Sequence, residues 1–166
     1  MKLAFLDAHT FENGAVRGSV LVTDERTRPL EFRVTDPVVP SELQKVLYGA
    51  VLDEHVLGDL CGIPMLEALR EAVDCVLVRD QALLSLQDMR EEPVLWIGRD
   101  EDSEPDPETG RKGILLGYHG DGDDESLNAA RLALRGASER YDLMEPFERM
   151  ATAVEQVHVS EIAAAS

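Results

Sequence analysis

Residues 2–24 read KLAFLDAHTFENGAVRGSVLVTD, two apolar runs separated by a turn. The Asn13-Gly14 pair is a strong reverse-turn signal, because both residues tolerate positive φ. The stretch therefore predicts two antiparallel strands, 2–7 and 15–23. The first ends in Asp7, either a carboxylate delivered at a strand tip or the first residue of a turn.

Working outward, a second turn from Asp24 to Pro29 leads into LEFRVT, where Leu30, Phe32 and Val34 alternate onto one face. Three sequential strands make an antiparallel meander. Pro37 and Pro40 then end the sheet, and Ser41-Glu42-Leu43-Gln44 has the form of a capping box. Leu43, Val46, Leu47, Ala50 and Val51 give a helical apolar face running on to about Leu57, with Gly49 marking close packing or a break. Gly58 and Gly62 punctuate the chain, and Pro64 opens a short helix.

CVLVR (75–79) has the character of a buried central strand and ends at Asp80. A helical DQALLSLQDM follows, then a strand VLWIG. Residues 99–112, RDEDSEPDPETGRK, form an acidic, proline-bearing loop and the best candidate for a mobile segment. GILLGYH is one further strand. SLNAARLALRG ends a helix with Gly136 at C′. A last amphipathic helix over 146–157 places Phe147, Met150, Ala151, Val154 and Val157 on one side. The expected fold is a single α/β domain over 1–158. Its mixed sheet opens with the meander, helices pack on it, two helices close the chain, and the tail 159–166 frays.

The 166 residues suit one domain burying roughly 70% of its unfolded surface. Aromatics are only 5%, so the core is aliphatic. Apolar runs fall short of the roughly 18 residues of a membrane span, and the N-terminus lacks the pattern of a secretory signal. Cys61 and Cys75 make no disulfide framework and read as small buried hydrophobes. A cytoplasmic protein is expected.

Charge is the strongest bulk property. Sixteen basic residues face thirty-three acidic ones, a net charge of −17, and the lysines are Lys2, Lys45 and Lys112 alone. Such a surface repels nucleic-acid backbones and attracts cations or basic partner surfaces.

The order of elements, with an acid after the first strand and another after the fourth, resembles the ribonuclease H-like superfamily, including endonuclease V-type nucleases. The resemblance spans residues 2–97 as a topology. It implies a divalent-metal phosphodiesterase using Mg²⁺ or Mn²⁺, with Asp7 and Asp80 as the strand-end ligands and Glu54 as the third. Asp24, Asp53 or Glu67 could replace Glu54. The endonuclease V-type pattern continues from the fourth-strand acid into Gly-His, whereas Gln81-Ala82 follows here. Each residue also has an ordinary role open to it: a turn initiator at Asp7, an N-cap at Asp80, a solvated helix face at Glu54. Three clustered carboxylates about 4 Å apart would repel by roughly 4 kcal/mol per pair at an effective dielectric of 20, so metal would stabilise a true cluster markedly.

Other motifs are thinner. His119 with Asp121, Asp123, Asp124 and Glu125 lacks the glycine and glutamate of a calcium loop and reads as a solvated turn before a helix. The histidines lack HExxH spacing, and there is no G-x-S-x-G elbow. The sequence thus favours a non-catalytic accessory or adaptor protein without cofactor. It would bind a basic protein partner or self-associate through helix 146–157, with the metal-dependent nuclease as the alternative.

Overall fold

A computed structural model describes residues 1–120 and 122–165. Six strands form one mixed sheet in the order β3-β2-β1-β4-β5-β6. They are β1 (Leu3–Thr10), β2 (Val16–Thr23), β3 (Pro29–Val34), β4 (Cys75–Val78), β5 (Val94–Arg99) and β6 (Ile114–Gly117). The meander β1-β2-β3 is antiparallel. β4 lies parallel to β1, β5 parallel to β4, and β6 antiparallel to β5. The opening turn closes as its residues dictate. Gly14 takes φ +82, Phe11 N–H donates to the Ala15 carbonyl at 2.8 Å, and Asn13 Oδ1 accepts from Ala15 N–H at 3.0 Å.

Period-2 alternation gives the sheet two buried faces. Leu3 and Phe5 of β1, with Cys75, Leu77, Leu95 and Ile97, form a core under α4 (Glu125–Arg140) and α5 (Glu145–Ala165). Phe147 of α5 meets Phe5 edge-to-face at 5.3 Å, a geometry worth about 1 kcal/mol beyond burial. Ala4, Leu6, Val76 and Val78 point the other way, into a core with Met65, Leu66, Leu83 and Leu86. The helices of the C-terminal half thus cover one face, and the segment between β3 and β5 covers the other.

That second layer departs from the long helix expected over 43–57. The capping box of Ser41 and Gln44 starts α1 (Glu42–Tyr48), but Gly49 takes φ +52 and the helix breaks there. A 3₁₀ turn Gly49–Val51, a short α2 (Leu52–Glu54) and a π-helix His55–Gly62 follow, then α3 (Ile63–Glu67), with Pro64 in its first turn. Gly58 sits inside the π-helix, while Gly62 ends it at the junction with α3. The π-helix packs Cys61 onto β2 at Gly18, where a Cβ would lie 2.5 Å from that of Cys61.

Three other boundaries move. The helix expected to stop at Gly136 runs on to Arg140, because Ala-Ser-Glu-Arg are all acceptable helix residues. The tail expected to fray is helical through Ala165. The acidic loop 99–112 is a built turn: Asp106 accepts from the N–H groups of Glu108 and Thr109, and Lys112 pairs with Glu101. Among the described residues no helix is long and apolar enough to cross a membrane.

Candidate functional site

The parallel seam between β1 and β4 sets the positions of the predicted acids. Leu3 pairs with Cys75 and Leu6 with Val78, so Asp7 stands beside Arg79 and Ala8 beside Asp80. Asp7 Oδ2 accepts from both Nε and Nη2 of Arg79. That guanidinium lies 4.9 Å over the Phe147 ring, on the α5 side of the sheet.

Asp80 belongs to the opposite side. Its carboxylate accepts from Ala82 N–H at 2.9 Å and caps the 3₁₀ helix Gln81–Met89. Beside it is a cavity of about 400 Å³, lined also by Ala8, Asn13, Lys45, Asp53 and Leu57. The acid that shares this cavity with Asp80 is Asp53, one of the substitutes for Glu54 open from sequence.

Glu54 faces a different cavity, of about 480 Å³, shared with Tyr48, His55, Asp59, Asp88 and Met89. The three acids predicted to share one ion thus occupy three separate environments. Among the described residues no group of three or more His, Cys, Asp or Glu is placed to hold a metal ion. The donor set Asp7, Asp80 and Glu54 does not fit Mg²⁺ or Mn²⁺ in this arrangement, since one acid is neutralised by Arg79, one caps a helix and one lies apart.

The Glu54 cavity holds the chemistry that sequence reasoning passed over. His55 Nδ1 and Asp59 Oδ2 are 2.8 Å apart, and the imidazole stacks on the Tyr48 ring at 4.1 Å. The i, i+4 spacing of His55 and Asp59 was visible, but the ring stack depends on the break at Gly49. No lysine or arginine is among the residues lining this cavity.

The α1 surface beside it is unusual. No residue of α1 is buried. Leu43 is 67% exposed, Val46 79% and Leu47 71%, and Val39 and Val51 extend the apolar strip at either end. Tyr48 and Val51 also line the Glu54 cavity, so strip and cavity are continuous. Lys45, the cation of α1, is tied to Glu42 at 2.8 Å.

The remaining candidates have structural roles. Asp124 caps α4 by accepting from Leu127 N–H at 3.0 Å; Asp121 lies outside the described residues. Both cysteines are free and buried. Burial pushes the Cys61 thiol up, and burial together with Asp74 pushes Cys75 to about 12, so neither is a ready thiolate. Helix 146–157 turns Phe147, Met150 and Val154 of its apolar face inward onto its own sheet.

No protein-family model and no curated protein matches the chain. Among solved structures, it is similar to Marinitoga piezophila Argonaute in complex with a 5′-OH guide RNA, with TM-score 0.42 and 8% identity over 80% of this chain. The match covers 24% of that Argonaute chain.

Proposed function

We propose that the chain is an accessory or adaptor module working through protein–protein contacts, with the exposed apolar face of α1 as its working surface. One observation carries this reading: Leu43, Val46 and Leu47 lie at i, i+3 and i+4 on a helix that buries nothing against its own domain. Contiguous exposed apolar patches on soluble domains mark interaction sites. A cytoplasmic location accords with two buried thiols left unpaired. The test is light scattering on the full chain recovered from its own cells. The wild type should run as a heteromeric complex that Val46→Ser with Leu47→Ser dissociates. A wild type recovered as bare monomer, with the double variant indistinguishable from it, refutes the reading.

A second reading, a ribonuclease H-like metal-dependent phosphodiesterase, has the strand order in its favour, with β4 parallel to β1 and Asp7 level with Arg79, one residue before the Asp80 cap. It would require Arg79 to release Asp7. Millimolar Mn²⁺ or Mg²⁺ would then raise the melting temperature by several degrees in the wild type and not in Asp7→Asn. Equal, negligible shifts in both proteins count against it.

A further inference from the structure

We infer that the occupant of the α1 surface is a cationic amphipathic segment of a partner protein, its apolar side on Leu43, Val46 and Leu47 and its arginine or lysine side chains over the adjoining acidic cavity. The inference rests on the adaptor reading above and adds the chemistry of the partner.

Charge complementarity selects this occupant. The strip runs without interruption into a concavity carrying the carboxylates of Glu54, Asp59 and Asp88, while the cation of α1 is already paired to Glu42. Within that concavity the stacked rings of Tyr48 and His55 offer an aromatic face for an incoming guanidinium. Exposed Met89 adds an adaptable apolar wall.

The same charges disfavour other occupants. A second copy would bring an identical acidic rim against this one, between chains of net charge −17 each. An anionic membrane or a nucleic acid would meet the same repulsion. Helices pack by interlocking the ridges of their i, i+3 and i+4 side chains, and Leu43, Val46 and Leu47 present such a ridge to an incoming helix.

The test uses the full chain and a synthetic amphipathic peptide of about 18 residues, five helical turns, with leucines on one face and arginines flanking them. Binding is followed by amide NMR shifts and calorimetry. Saturable shifts should centre on residues 43–59. Val46→Glu with Leu47→Glu should weaken binding at least tenfold although it adds negative charge; tighter binding would reveal attraction to net charge alone and overturn the inference.

Glu54→Gln with Asp88→Asn should also weaken binding about tenfold, whereas Glu104→Gln with Glu108→Gln, in the distant acidic loop, should change it less than twofold. Equal effects from the two pairs overturn the cationic-pocket assignment while leaving the adaptor reading intact. Absence of saturable binding, or a wild-type dimer that Val46→Glu with Leu47→Glu dissolves, overturns the inference outright. All the substituted side chains lie at the surface, so circular dichroism and melting temperature should match the wild type.

Discussion

Arg79 holds Asp7 by two nitrogens on one carboxylate oxygen, so the first-strand acid is neutralised by the strand beside it. The next residue, Asp80, serves the opposite face of the sheet. Two acids one register step apart on neighbouring strands are thereby sent to opposite faces of the sheet. A metal centre needs convergence, and this seam works against it.

The pair gives a direct stability prediction. Asp7→Asn should cost about 1 kcal/mol in urea unfolding, and a double-mutant cycle with Arg79→Gln should show about 0.5–1 kcal/mol of coupling, as for partly exposed ion pairs. Zero coupling would mean that the two side chains do not act together.

Asp80 is assigned to capping, so its loss should depend on hydrogen-bonding capacity and not on charge. Asp80→Ala should cost about 1 kcal/mol and Asp80→Ser should recover most of it. Equal losses for both, measured by thermal unfolding, would contradict the assignment.

Two glycines predict opposite signs. At Gly18 a Cβ meets Cys61 at 2.5 Å, so Gly18→Ala should destabilise by about 1–3 kcal/mol. At Gly136, inside α4, a Cβ meets nothing within 4 Å, and Gly136→Ala should stabilise by about 0.5–1 kcal/mol. Chemical denaturation of the two variants checks both signs.

Glu31 supplies a pH dependence. Its carboxyl is held below the usual range, first by the Glu71 N–H at 2.9 Å, then by Arg33 and the Arg70 N–H, against the opposing effect of burial. A depressed folded-state value means that the unfolded chain binds the proton more readily. The stabilisation is therefore present above the unfolded pKa of about 4.3 and fades as pH falls through the lower folded value. Glu31→Gln should lose stability at neutral pH and show a shallower decline below about pH 4.5 than the wild type.

The sheet was legible because its signals are local. Asn13-Gly14 sets the first hairpin, alternation at Leu30, Phe32 and Val34 sets β3, and the continuous CVLV run marks a strand buried on both faces. Ser41 and Gln44 likewise announced the start of α1. The segment after Gly49 was not legible, since its π-helix is bound up with Cys61 settling against Gly18, a contact 43 positions away in sequence.

The candidate site divides along the same line. That β1 and β4 are neighbours could be read from order and length, but β1 runs past Asp7, where the first strand was expected to end, to Thr10. Which face Asp7 and Asp80 each serve follows from Leu3 pairing with Cys75, a register that composition does not encode. The apolar face of α1 was visible in the heptad-like spacing of Leu43, Val46 and Leu47, but periodicity reports that a face exists and not what covers it.

Under the proposed function, α1 meets another protein. The direct measurement is photo-crosslinking in cells from a reactive residue at position 46, compared with the same residue at exposed Leu132 on α4. Adducts to a different polypeptide are expected from position 46 and none from position 132. Equal labelling from both positions, or adducts joining only copies of this chain, would contradict it.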